Sequence, residues 1–272
     1  MQNYYIVREH PIRIIQKCRA HSKGTLWSFL LGMCIIYVLL NWIPEILSEY
    51  FTTTNIDLMK EYMDLDPQMA RSLPSTSLVK MLYVILFSGV FKLSESLYTL
   101  TYIRNRKVEY RAISEGFSLY GKALAAFVLE MLFIVLWSFL FIIPGLIAAI
   151  NYSQTFYILA DDPSKSVIDA LKDSKMMMQG NKMNYVRLYL YYLPYIMLGY
   201  VPMFLLLDVA LAMSISGVTL LIINLLTEIP VFMANGYFAL GKCTFYELLF
   251  NEGFAYFRYE GQDAFREDEK KE

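Results

Sequence analysis

The sequence predicts an all-α fold of the membrane kind, a polytopic bundle with six transmembrane segments. Three observations predict it. Hydrophobic residues make up 57% of the 272 and charged residues only 18%, where a soluble domain is about half apolar and about a quarter charged. Apolar stretches near the roughly 20 residues that a spanning helix needs recur along the chain. Lysine and arginine collect in alternate connecting segments, the pattern that orients membrane proteins.

The elements follow in order. Residues 1–24 form a cytoplasmic or interfacial segment. Within it Arg13, Lys17 and His21 share one helical face and Ile14, Ile15 and Cys18 another, with Pro11 at a first helical position. The pattern suits an amphipathic helix in the headgroup plane; a cytosolic extension of the first span is the alternative. Residues 25–257 form the membrane domain, with spans at 25–47, 78–103, 123–143, 145–160, 185–207 and 211–237. The first is a retained helix, since a long basic lead-in precedes it and no small-x-small cleavage site follows. The third and fourth spans form a hairpin, and Pro144-Gly145 is read as its turn. Sixteen residues in the fourth reach about 24 Å, short of a hydrocarbon core of about 30 Å. That arm is therefore re-entrant or thins the bilayer.

The acidic outer segment, residues 48–77, carries Glu49, Asp57, Glu61, Asp64 and Asp66 and a short helix near 56–62. After the fourth span, Asp161-Asp162-Pro163 makes a turn. The stretch 163–182 then reads as one amphipathic cytoplasmic helix, started by Pro163 and Ser164 and stopped by Gly180 just before Lys182. Its Lys165, Lys172 and Lys175 suit lipid phosphates. Residues 258–272 read as a disordered cytoplasmic tail. Arg104, Arg106, Lys107, Arg111 and Lys122 lie between spans two and three, and Lys242 and Arg258 follow span six. All four basic segments fall on one side of an even number of spans, which puts both termini in the cytoplasm.

A charged side chain at the centre of a transmembrane helix costs at least about 2.5–3.5 kcal/mol, so such residues face the bundle interior or a cavity. Ser88, Lys92, Glu95 and Thr99 recur at helical spacing as one stripe on span two. Asn224, Glu228 and Asn235 do the same on span six. Span three adds Glu130; span four adds Asn151, Gln154 and Thr155. Lys92 lies midway along span two and Glu130 near midway along span three, so the two are expected to pair, with Glu95 nearby. Two carboxylates and one ammonium make that site net negative. Lys92, Glu95, Glu130, Asn151, Gln154, Asn224 and Glu228 are thus the candidates for a ligand or solute pathway. A buried ion pair that merely fixes helix register explains the same charges.

No catalytic residue is assigned. The chain has no H-E-x-x-H, G-x-S-x-G or P-loop pattern. Cys18, Cys34 and Cys243 lack metal-ligand spacing, and His10 and His21 read as surface residues. Asp161-Asp162 suits a divalent ion but is more simply a turn. No cofactor and no metal are expected. A net charge of −1 argues against a nucleic-acid partner. The expected partners are membrane lipids and a membrane-protein partner.

The ordered text Ile142-Ile143-Pro144-Gly145, Asn151-Tyr152-Ser153, Tyr157-Ile158-Leu159-Ala160-Asp161-Asp162-Pro163, Ala170, Ser174 and Met178-Gln179-Gly180-Asn181-Lys182 resembles a family. Gly24, Trp27, Trp137 and Phe245-Tyr246-Glu247 extend the resemblance. The family is domain of unknown function 975, bacterial multi-pass membrane proteins distantly similar to the membrane portion of some glycerophosphodiester phosphodiesterases. Tyr191-Tyr192-Leu193-Pro194 departs from its pattern. The resemblance implies a six-helix bundle in a bacterial cytoplasmic membrane and no established activity. The expected function is non-enzymatic: binding a lipid, an amphiphile or a membrane partner as an accessory of envelope or export systems. A small-solute or ion transporter or channel using the intramembrane charged stripe is the alternative.

Overall fold

The computed structural model describes residues 7, 9–48, 50–51, 78–212 and 218–249, and all regular structure among them is helical. The ten helices considered below are α1 (Pro11–His21), α2 (Leu26–Ser48), α3 (Leu78–Asn105), α4 (Arg111–Ser118) and α5 (Tyr120–Leu140). They continue with α6 (Ile142–Tyr152), α7 (Thr155–Asp161), α8 (Val167–Met177), α9 (Lys182–Ala212) and α10 (Val218–Leu249). The acidic outer segment with its expected short helix, and the C-terminal tail, lie outside the described residues apart from Ser48, Tyr50 and Phe51.

Four stretches are long and apolar enough to cross a membrane: Leu26–Ser48, Tyr120–Leu140, Ile142–Asp161 and Lys182–Leu206. Among the described residues, α3 and α10 are not counted with them.

The bundle has two unlike ends. At one end large apolar side chains stand exposed: Leu82 and Leu86 on α3, Trp137 and Phe139 on α5, Ile143 on α6 and Phe204 on α9. Burying such side chains in lipid is the favourable solution for a surface of this size. At the other end Tyr98, Tyr102, Phe245, Tyr246, Leu248 and Leu249 are buried in a dense aromatic core. There Phe29 stacks on Tyr98, with ring centroids 5.2 Å apart. Tyrosine hydroxyls satisfy backbone oxygens of α2, with Tyr98 donating to Phe29 O at 2.9 Å and Tyr110 to Ser28 O at 3.1 Å. A π-helical turn at Val38–Trp42 interrupts α2. Beside it Tyr83 donates to Leu39 O at 2.7 Å, so a carbonyl loosened by the wider turn keeps a partner.

Several boundaries differ from the sequence reading, each for a local reason. The hairpin turns at Phe141, whose backbone is extended (φ −163°, ψ 155°). Pro144 and Gly145 lie inside α6. Proline in a first helical turn sacrifices only an N–H that has no partner there. Gly145 is needed because a Cβ there would sit 2.0 Å from Ser138 Oγ on α5. The fourth span is not one helix. It breaks at Ser153-Gln154 between α6 and α7. The helix expected over 163–182 is α8, shorter at both ends. Its cap is Ser166, which accepts from Asp169 N–H at 3.2 Å and donates to Asp169 Oδ2 at 2.6 Å. Gly180, at φ +79°, follows its end. The basic connection between spans two and three contains α4, which the sequence reading passed over. α10 runs on past Tyr237 to Leu249, because Leu240, Cys243, Phe245 and Leu248 keep returning to the core.

α1 docks on the dense end. Ile14 and Cys18 are buried, Cys18 Sγ lies 3.1 Å from Thr244 Oγ1, and burial pushes the thiol up to about 11. His10 caps α1 through Nδ1, which accepts from Ile12 N–H at 3.4 Å. His21 is not a surface residue: it is half-buried, 3.3 Å from Tyr102 O, and burial holds its pKa below the ordinary value.

Candidate functional site

Three polar clusters hold the charges that the sequence places within or beside the spans. The first is a notch where α3, α5, α7 and α10 meet. Lys92 and Glu95 are one turn apart on α3. Lys92 Nζ lies 3.3 Å from Glu130 Oε2, the pair expected from their matching depth. The rings of Phe127 and Phe156 flank the ammonium, with centroids at 5.1 and 5.3 Å. The two partners are unequally placed: the Lys92 side chain is 42% exposed, that of Glu130 9%.

The charge balance differs from expectation. Lys242, read from sequence as a basic residue beyond the last span, lies inside α10 and donates to Glu95 Oε1 at 2.8 Å. The notch thus holds two cations and two carboxylates and needs no further ion for neutrality. Tyr185 of α9 lies within electrostatic reach of Lys242, Glu95 and Glu130.

The broken arm borders this notch. Gln154 is fully buried and donates from Nε2 to Ser153 Oγ at 3.0 Å. Where α6 ends, its backbone loses regular partners. Ser174 of α8 replaces them, accepting from Gln154 N–H at 3.1 Å and donating to Asn151 O at 2.7 Å. The side-chain oxygens Asn151 Oδ1 and Gln154 Oε1 are buried with no partner among the described residues.

The second cluster lies at the rim of the dense end. Arg104 of α3 bonds Asp161 at 2.5 Å and Glu247 at 2.8 Å, and Tyr246 Oη donates to Asp161 Oδ2 at 3.2 Å. The Asp-Asp-Pro turn and the late Phe-Tyr-Glu run thus converge on one arginine, and Asp161 is committed to it. Asp162 does different work. It accepts from Ser164 N–H at 3.0 Å and Ser164 Oγ at 2.5 Å, and these bonds hold its carboxyl below the usual range. Lys122 closes the turn from α5, donating to Pro163 O at 2.5 Å. Beyond Gly180, Asn181 accepts from Val7 N–H at 2.9 Å, and Asn184 donates to Val7 O at 2.5 Å. The next residue after Asn181, Lys182, opens α9. Among the described residues no three His, Cys, Asp or Glu side chains converge as metal ligands would.

The third cluster separates Glu228 from the notch. Its carboxylate accepts from Trp42 Nε1 at 2.5 Å and Tyr37 Oη at 3.5 Å, beside the π-helical turn of α2. Glu228 and Lys242 are fourteen residues apart on α10, about 21 Å of helix rise, and buried Val231, Ala239 and Leu240 fill part of that interval. The stripes of spans two and six therefore do not form one site. The side chain of Asn224 lies outside the described residues.

Over residues 140–252 the chain matches the family described as Protein of unknown function (DUF975). The match spans both arms of the rim cluster, Asp161 and Glu247, and the Ser174 bridge. It is the family that the hairpin-and-helix text resembles. No curated protein and no solved structure matches the chain. A likeness to glycerophosphodiester phosphodiesterases is not among these findings.

Proposed function

We propose that the protein is a non-enzymatic, six-span membrane protein with both termini in the cytoplasm, and that its Lys92–Glu130 notch receives the headgroup of a membrane lipid. The supporting observation is the loose commitment of an exposed cation. Arg104, exposed to the same degree, is held by two carboxylates at 2.5 and 2.8 Å, whereas Lys92, 42% exposed on the flank of the bundle, meets one carboxylate at 3.3 Å. Helix α4 argues for its depth. It packs Ala112, Ile113 and Gly116 on α3 near Ser94 and leaves Arg111, Ser114, Glu115 and Ser118 exposed beside Phe117. An exposed face of that polarity belongs in the headgroup layer or in water, since hydrocarbon would penalise it heavily. Lys92 is two residues from Ser94, so its long side chain can extend along the flank toward that layer.

Six spans follow if α3 and α10 cross, as their lengths of 28 and 32 residues allow. Their contacts advance in the same direction, Glu95 with Lys242 and then Arg104 with Glu247, so the two helices are parallel. Parallel neighbours suit the second and sixth spans of an even-numbered chain. Conduction is the weaker reading, because the charged clusters are separated along α10.

The test is native mass spectrometry of the purified protein with its co-purified lipids. The wild type is expected to retain phospholipid, and Lys92→Met to retain less of it while remaining monodisperse. Equal retention by both proteins overturns the proposal.

A further inference from the structure

The notch has the composition of a cation cage that is already filled. Phe127 and Phe156 are each 6% exposed, Glu130 lies beneath, and the three surround one ammonium. Two ring faces and a carboxylate in a half-dry site are what a positively charged nitrogen seeks. The occupant is the chain's own Lys92, on a flexible stem and open to the outside along much of its length. Its 3.3 Å separation from Glu130 is longer than the roughly 2.7–2.9 Å of a fully formed charge-assisted bond. By contrast Lys242 meets Glu95 at 2.8 Å with the two side chains 25% and 23% exposed. One pair is thus closed and the other only loosely committed. Because the closed pair is neutral within itself, the loose pair offers an incoming headgroup one positive and one negative group.

We propose that the notch selects a zwitterionic headgroup of the phosphoethanolamine type. The lipid ammonium takes the place of Lys92 between Phe127, Phe156 and Glu130, and Lys92 swings outward to pair with the phosphate. An ethylene link separates the two lipid charges, a reach that the lysine side chain covers as it leaves. The exchange gains an ion pair: the single Lys92–Glu130 pair is replaced by two, ammonium–Glu130 and Lys92–phosphate. An anionic lipid gains only the second of these and leaves Glu130 without a cation. Lys92 therefore acts as a tethered plug, and the cage stays filled when no lipid is bound. This inference rests on the lipid-headgroup reading above and specifies its ligand.

The experiment loads purified full-length protein with equal amounts of dioleoyl phosphatidylethanolamine and dioleoyl phosphatidylglycerol and reads bound lipid by native mass spectrometry. Wild type is expected to retain the ethanolamine lipid about fivefold over the glycerol lipid. Glu130→Gln is expected to bring the ratio near one. Phe127→Leu, which removes a ring face without touching a charge, moves it the same way and serves if Glu130→Gln does not fold. Lys92→Met is expected to lose the glycerol lipid and to retain less of the ethanolamine lipid, which keeps the cage but has no partner for its phosphate. A competition arm with soluble glycerophosphoethanolamine distinguishes the headgroup from the chains; displacement of bound lipid shows that the headgroup is the recognised part, and failure to displace it overturns headgroup selection. Wild-type parity, or preference for the glycerol lipid, overturns the zwitterion proposal; if that retention still depends on Lys92, the notch remains a headgroup site. Undiminished retention of both lipids by Lys92→Met overturns both.

Discussion

The notch and the rim use the same residue types for different ends. At the rim one arginine is shared by two carboxylates at 2.5 and 2.8 Å, and a tyrosine hydroxyl adds to one of them. The elements joined there, α3, α7 and α10, are far apart in sequence. At the notch the lysine reaches its carboxylate at 3.3 Å, stays open on one flank, and is steadied by rings that would accept another cation. Tight, multiply bonded charge fastens helices; loosely paired charge at a lipid-facing flank is available for exchange. Charge within a membrane bundle is therefore not one kind of evidence.

Four measurements sharpen that contrast. Arg104→Ala leaves Asp161 and the mostly buried Glu247 facing each other without a cation. Breaking a buried pair costs about 3–5 kcal/mol; with Arg104 itself 44% exposed, screening reduces the expectation to about 2 kcal/mol, read as a fall in Tm in detergent. Ser174→Ala removes both bonds across the α6–α7 break and is expected to cost about 1–3 kcal/mol, with faster amide exchange confined to residues around 151–155. Lys92→Met, by contrast, is expected to cost about 1 kcal/mol, because it breaks one 3.3 Å contact where Arg104→Ala breaks two shorter ones. A loss as large as that of Arg104→Ala would make the notch a second fastener and erase the distinction.

The smallest effect is one of pH. Burial lowers the His21 pKa in the folded state, so above its ordinary value both states are neutral and nothing changes. As pH falls through and below 6.5, the unfolded chain binds the proton more readily and stability drops. His21→Gln should flatten the Tm–pH curve between about pH 6.5 and 5. An unchanged slope would show that His21 does not carry it.

The legible parts of the fold were those that composition and spacing control. Lys92 and Glu130 could be paired because charges are rare in apolar helices and their depths could be counted. Lys242 was missed because a lysine after 27 mostly apolar residues reads as the basic flank of a span. The available signal was the continuing return of Leu240, Cys243, Phe245 and Leu248 on its far side. The break at Ser153-Gln154 carries no glycine or proline; its cause is Ser174, twenty residues away in sequence from Gln154, and tertiary effects of that kind leave no local trace. Pro144-Gly145 misled in the opposite sense. The pair resembles turn text, yet proline suits the first turn of α6 and the glycine answers to Ser138.

The parallel pairing of α3 with α10 also has a consequence in time. Glu95 is separated from Lys242 by 147 residues, and Arg104 from Glu247 by 143. At a synthesis rate of about 5–20 residues per second, the charges of α3 emerge about 7–30 s before their partners exist. Arg104 gains Asp161 after 57 residues, but Glu95 has no lysine partner from α10 throughout that interval. The nascent helix must wait at the bilayer surface or be sheltered by the insertion machinery until the last helix arrives. Maturation of the interior is then timed by the end of translation, and a ribosome stalled before residue 242 would release a chain whose second helix has never settled.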